Sequence, residues 1–174
     1  SQVHKQVVRK AASNVSIKMN PATRLFFVEV ARPDMNNPMG DLERTIAALK
    51  DQWGFAGELN CDLDLIVRLQ DVLRKGNWQI SIAVYKDHTG SPAHITGLWP
   101  GFHEKGIFGL AIDLGSTTIA AHLTDLKSGE VCGSSGIMNP QMRFGEDLMS
   151  RVSYAMMNSG GGKEMTLVVR EALN

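Results

Sequence analysis

Between two apolar runs, the stretch Gly109-Leu-Ala-Ile-Asp113-Leu-Gly115-Ser116-Thr117-Thr118-Ile-Ala-Ala carries a carboxylate and a glycine turn lined with hydroxyls. A carboxylate so placed can hold a Mg²⁺-bound water while the backbone N–H groups of the turn meet phosphate oxygens. Gly115 leaves room where a Cβ would block a phosphate, and Ser116, Thr117 and Thr118 add donors. Asp113, Gly115, Ser116, Thr117 and Thr118 are therefore expected to form a phosphate and Mg²⁺ site. The plain alternative is a hairpin turn made of turn-forming residues, with Asp113 as an Asx-turn acceptor. A second polar cluster, Asn139, Gln141, Arg143, Glu146 and Asp147, stands just before a helical pattern. It reads equally as loop hydrogen bonding with acidic capping or as a surface facing a nucleotide or partner. Arg151 is spaced for an ion pair with Asp147 four residues earlier on one helix.

The rest of the composition narrows the chemistry. No Ser/His/Asp grouping or catalytic carboxylate pair follows from spacing, so no catalytic residue is assigned. His4, His88, His94, His103 and His122 show no ligand-like spacing, and no metal is expected beyond Mg²⁺ at Asp113. Lys+Arg and Asp+Glu both number 18, so no global field favours nucleic acid or an anionic membrane. No run approaches the roughly 18 apolar residues of a membrane helix. The first residues lack the apolar core of a secretory signal, so a cytoplasmic location is expected. Two cysteines, Cys61 and Cys132, cannot hold a four-cysteine iron–sulfur cluster. Two buried free thiols are the expectation, with one disulfide left open. The chain starts at Ser1 without a Met and reads as a segment of a longer protein.

The elements that must position these residues are legible from periodicity. Residues 1–20 have no sustained period and read as a solvated linker. A strand is expected from Arg24 to Ala31, ended by Arg32-Pro33-Asp34. Asp41 is the expected cap of a helix whose Leu42, Ile46, Leu49 and Trp53 share a face. Asp62 is expected to cap a second helix, with Leu63, Ile66, Leu69 and Leu73, joined by Leu65 and Val72, on its apolar face. Arg74-Lys75-Gly76 supplies its stop signal. Trp78 to Tyr85 alternates as a half-buried strand, and Ser91 to Leu98 continues as its partner. After a boundary near 99–106 come strands at 107–112, 119–126 and about 130–138, then a loop over 139–145. A helix is expected from Glu146 to Met157 with Leu148, Val152 and Ala155 inward, then a flexible joint Ser159–Lys163, then a helix from Glu164. Met138, Met142, Met149, Met156, Met157 and Met165 enrich this end as core or would-be core, some of them expected to leave exposed apolar surface.

The Asp113–Thr118 run resembles the first phosphate loop of the actin, hexokinase and heat-shock-chaperone superfamily of ATPases. The context narrows this. Thr124-Asp125-Leu-Lys-Ser-Gly129-Glu130-Val and Met138-Asn139-Pro140-Gln141-Met-Arg143-Phe-Gly145-Glu146-Asp147-Leu-Met-Ser-Arg151-Val resemble the ATP-dependent reductive activators of corrinoid proteins. Glu171-Ala-Leu-Asn174, Asp41-Leu-Glu-Arg and Trp78-Gln-Ile-Ser-Ile add weaker likeness. The family's usual Gly-Thr-Thr-Thr is here Gly115-Ser116-Thr117-Thr118, which keeps the hydroxyl.

The resemblance implies an α+β chain: a linker over 1–20, a small β-α-α-β-β middle domain over 21–104, and a truncated actin-like (ribonuclease H-like) ATPase domain over 105–174. It implies ATP and Mg²⁺ in the intact protein and a [2Fe–2S] cluster in a ferredoxin domain outside this segment. It also implies electron delivery to a Co(II) corrinoid protein of a methyltransferase system. The phosphate site would be only half present, so the segment is expected to be inactive alone. Its exposed apolar surface is expected to favour a homodimer. A sugar-kinase fragment and a non-enzymatic docking module are the rival readings.

Overall fold

The structure is a computed structural model describing residues 18–87 and 89–174. The linker expected over 1–20 thus falls outside the described residues as far as residue 17, and so does His88. Among the described residues two compact units are present: residues 18–108 with 125–129, and residues 109–124 with 130–174.

The first unit contains β1 (Thr23–Glu29), α1 (Asp41–Trp53), β2 (Leu59–Cys61), α2 (Leu63–Lys75), β3 (Gln79–Tyr85) and β4 (Ala93–Pro100). The sheet order is β1-β3-β4-β2, with β1 and β4 antiparallel to β3 and β2 parallel to β4. The α+β class is as read from sequence, but β2 is an addition. Three residues are too few for alternation to show, and its pairing partner comes only after α2 and β3.

Helix α1 starts one residue earlier than expected. Gly40 is its cap, and Asp41 instead joins Glu43 in an acidic first turn that faces the positive helix end. The Glu43 carboxylate accepts the Gly40 N–H at 2.9 Å. Gly54 ends the helix at φ 66, donating to the Lys50 carbonyl. In α2, Asp62 occupies the cap position but offers its backbone carbonyl, to Leu65 and Ile66, rather than its side chain. The buried stripe of α2 is Leu65, Leu69, Val72 and Leu73, while Leu63 is 75% exposed. The expected face was thus rotated: steps of four and three from Leu65 select the residues that meet the sheet.

A Cβ at Gly76 would sit 2.2 Å from the Gln79 carbonyl oxygen and 2.8 Å from Gly101 N, so only glycine fits. Asn77 and Trp78 then take φ of 52 and 68, a costly conformation for residues with side chains. It is held because Trp78 N donates to Leu73 O and Val30 N donates to Trp78 O, both at 2.7 Å.

Strand β3 was expected to be half-buried; it is buried on both faces. Ile80, Ile82 and Val84 join Leu49, Leu69 and Leu73 in the core. On the other face the Ser81 hydroxyl donates to Gly101 O and accepts from His103 N, each at 2.9 Å. These bonds draw residues 101–103 over the sheet, where Trp99 stacks on His103 at 4.4 Å and Phe102 meets Phe27 edge-on. The free edge of β1 is covered by α1. The Gln52 amide accepts from Glu29 N at 3.0 Å and donates to Glu29 O at 2.7 Å. The Trp53 indole N–H donates to Phe27 O at 2.8 Å. These side chains bond to the edge as another strand would, which blocks edge-to-edge pairing.

The second unit contains β5 (Phe108–Leu114), β6 (Thr118–Asp125), β7 (Val131–Met138), a 3₁₀ turn (Pro140–Phe144), α3 (Leu148–Met157) and α4 (Gly161–Leu173). Its sheet order is β5-β6-β7, with β6 and β7 antiparallel. Part of the expected loop 139–145 is therefore helical. The expected joint shrinks to Ser159 and Gly160, because Gly161 is buried against the Tyr154 ring, where a Cβ would approach to 3.0 Å. Packing outweighs the poor helix propensity of glycine here.

The inward face expected for α3 is also corrected. Leu148 is 65% and Val152 41% exposed, while Arg151 is 4% exposed. Leu110, Ile112 and Leu114 of β5 and Met149, Met156 and Met157 of α3 are exposed as well, so these three methionines belong to the exposed apolar surface and not to the core. Both cysteines are free; Cys132 is exposed rather than buried, and burial pushes the half-buried Cys61 thiol up.

Arg44, 4% exposed, donates to the carbonyls of Met39 (2.9 Å), Arg32 (3.2 Å) and Asn37, gathering the loop before α1. Replacing it with methionine removes all three charge-assisted bonds. Arg44→Met is expected to lower the stability of this unit by about 2–3 kcal/mol. Urea unfolding followed by tryptophan fluorescence checks this, because Trp53, Trp78 and Trp99 all lie in this unit; an unchanged midpoint would contradict it.

Candidate functional site

Asp113 is exposed near the end of β5, and Gly115, Ser116 and Thr117 form the turn into β6. Gly115 N donates to Thr118 O at 3.0 Å, closing the turn. A Cβ on Gly115 would lie 2.8 Å from that same oxygen, so the tight turn itself demands glycine. Ser116 and Thr117 are exposed and Thr118 is half-buried. The five residues of the expected phosphate site are thus contiguous on one open turn. That turn can offer hydroxyls and a carboxylate to a ligand.

What holds the turn is Asn139, 3% exposed, at the end of β7. Its Nδ2 donates to Gly115 O at 2.8 Å, and its backbone N–H donates to Thr117 O at 2.8 Å. Its Oδ1 accepts from Gln141 N at 2.9 Å and so starts the 3₁₀ turn. The Gln141 amide donates onward to Met165 O at 3.1 Å, tying in α4. Asn139 and Gln141 therefore position the turn rather than present themselves to solvent.

The other members of the polar cluster separate from these two. The Asp147 carboxylate accepts from Ser150 N at 2.7 Å and caps α3. That bond holds its pKa below the ordinary carboxylate value of 3.8. The cap also explains why α3 begins at Leu148 rather than Glu146, which is exposed. Arg143 lies over the Phe144 ring at 4.7 Å and 3.8 Å from Glu164, a half-exposed pair of little energetic weight. Glu164 also accepts from the Tyr154 hydroxyl at 3.1 Å, which raises the Tyr154 pKa. Arg151 does not pair with Asp147 as its spacing suggested. Its Nε donates to Gly145 O at 2.8 Å. The sequence signal for its special place was a lone cation inside the stripe Leu148, Val152 and Ala155. Arg151, Gly115, Ser116 and Gln141 border a cavity of about 410 Å³ whose other walls include Val152 and Met165. Among the described residues no group of three His, Cys, Asp or Glu side chains is placed to hold a metal ion.

An α+β chain with a tight glycine turn between two strands is a broad class, and comparison with known proteins narrows it. Residues 12–105 match the family model described as RACo linker region, and residues 108–174 match the one described as RACo middle region. The chain belongs to the RACo family. These descriptions attach "linker" to the first unit and "middle" to the meander unit, where the sequence reading placed a middle domain and an ATPase domain. The chain is 37% identical over 70 residues to the corrinoid activation enzyme RamQ of Eubacterium limosum, covering 40% of this chain and 11% of that protein. A solved structure of a reductive activator for corrinoid, iron-sulfur protein matches with a TM-score of 0.74 and 29% identity. That match covers 94% of this chain and 25% of the other. The chain therefore spans a quarter or less of the length of these relatives.

Two outcomes follow from this geometry. Asn139→Ala leaves the Gly115 carbonyl and the Gln141 N–H without their buried partner and is expected to cost roughly 1–3 kcal/mol. Thermal unfolding followed by backbone signals of this unit measures it, and a wild-type midpoint would show that the turn does not depend on Asn139. For Asp147 the folded pKa is lowered, so its contribution is complete above 3.8 and is lost as pH falls through the lower folded value. Asp147→Asn should flatten that acid limb of the stability profile.

Proposed function

We propose that the whole protein carrying this chain is an ATP-dependent reductive activator of corrinoid proteins in methyltransferase systems. One electron passes from a reduced [2Fe–2S] cluster to a Co(II) corrinoid, giving the methyl-accepting Co(I) state, and ATP hydrolysis supplies the drive. Membership of the RACo family supports this reading, as does the likeness to a corrinoid activation enzyme and to a reductive activator for corrinoid, iron-sulfur protein. The observation that carries it on this chain is the Gly115–Thr118 turn, pinned by buried Asn139 with Asp113 exposed beside it.

In this reading β5 to α4, residues 105–174, open an actin-like (ribonuclease H-like) ATPase domain that follows an α+β domain over 21–104. Ser116, Thr117 and Thr118 would hold phosphate oxygens, and Asp113 would help to hold Mg²⁺. A phosphate is compatible with the turn because Ser116 and Thr117 are exposed there beside the Asp113 carboxylate. The cluster does not fit this chain: two cysteines cannot replace the four thiolates it takes, so it belongs to residues outside the segment. Accordingly this chain moves no electron by itself. A corrinoid protein is the partner and the cytoplasm the compartment. Among the described residues no helix is long and apolar enough to cross a membrane. The exposed apolar side chains of β5 and α3 favour self-association when the segment is isolated.

Titrating Mg-ATP into the full-length protein and its Asp113→Asn variant tests the assignment. Affinity should fall at least tenfold in the variant; equal affinity in calorimetry would remove Asp113 from the site.

A further inference from the structure

Arg151 has a feature that its helix does not explain. Its guanidinium is buried, and Nη2 is the sole buried side-chain nitrogen or oxygen without a hydrogen-bond partner among the described residues. A buried guanidinium with an unmet donor is costly unless an acceptor completes it. No acidic group hydrogen-bonds to that donor, and Asp147, which caps α3, meets Arg151 only through its charge. Asp147 caps Ser150, Glu164 takes the Tyr154 hydroxyl and faces Arg143, and Glu146 is exposed.

The donor belongs to a side chain bordering the same 410 Å³ cavity as Gly115 and Ser116. The lining also includes Leu114, Val152 and Met165, of which Leu114 and Val152 are themselves partly open to solvent. Nε is already fixed on the Gly145 carbonyl, which holds the planar fork in place. A preset guanidinium beside a phosphate-type turn suits an oxyanion, because its N–H groups match the oxygen spacing of phosphate.

We propose that Arg151 is a binding residue for a terminal phosphoryl group, its guanidinium turning its unmet donor to the polyphosphate that the Gly115–Thr118 turn cradles. This rests on the nucleotide reading above. It adds a cation on α3 that acts without Mg²⁺ and discriminates triphosphate from monophosphate.

The test compares ATP and AMP binding by calorimetry, without Mg²⁺, in the full-length protein and its Arg151→Gln, Arg151→Lys and Asp113→Asn variants. Circular dichroism melts check folding; should Arg151→Gln not fold, the charge-keeping Arg151→Lys carries the same comparison with a smaller loss. The expected result is ATP affinity at least tenfold weaker in Arg151→Gln, with AMP affinity unchanged and Asp113→Asn unaffected. Unchanged ATP affinity in Arg151→Gln, or equal losses for ATP and AMP, would overturn the role of Arg151 while leaving the turn's role intact. If the wild-type protein binds no ATP with or without Mg²⁺, the nucleotide reading and this inference fall together.

Discussion

A primary amide buried at the end of a strand must find partners for its N–H groups and its oxygen, because water is not there to supply them. Asn139 finds them on the Gly115 carbonyl and on the Gln141 N–H, while its own backbone N–H takes the Thr117 carbonyl. One residue thereby fixes the shape of the glycine turn, launches the 3₁₀ turn and, through Gln141, anchors α4. The candidate phosphate site depends on this satisfaction of buried polar groups more than on any apolar contact. Its own exposed residues, Ser116 and Thr117, contribute little to holding it.

The same economy of side chains standing in for backbone recurs in the first unit. Gln52 and Trp53 bond to the open edge of β1, Arg44 collects three loop carbonyls, and Ser81 draws residues 101–103 across the sheet. This sheet is covered on both faces at β3, with Leu49, Leu73, Ile80 and Ile82 fully enclosed. The second unit is different in kind. Among the described residues its β5 shows Leu110, Ile112 and Leu114 to solvent, its α3 shows three methionines, and the buried cation Arg151 has an unmet donor.

Much of the architecture was legible where a pattern repeats. The existence of both helices of the first unit, the alternation of Ile80, Ile82 and Val84, and the glycine turn after Asp113 all follow from period and turn chemistry. Misreadings fell where a single distant contact decides. β2 exists because Leu59 to Cys61 lie beside Ala93 to Ile95, and α4 starts at Gly161 because a tyrosine ring meets it. Asp147 and Arg151 have the spacing of an ion pair, yet the carboxylate is spent on Ser150 and the guanidinium on Gly145. Local spacing names the residues that can meet; it does not say which competing acceptor wins.

The sequence by itself determined the α+β class, the positions of most helices and strands, and the Asp113–Thr118 turn with its family likeness. These follow from periodicity, glycine stereochemistry and residue type, all of which act within a few residues along the chain. Only the tertiary structure decided that Asn139 is the turn's anchor, that β3 is buried on both sides, and that Arg151 is buried while Leu148 and Val152 on the same helix stay exposed. Each of these depends on which polar groups lose water when elements far apart in sequence come together. That loss has no signature in local spacing.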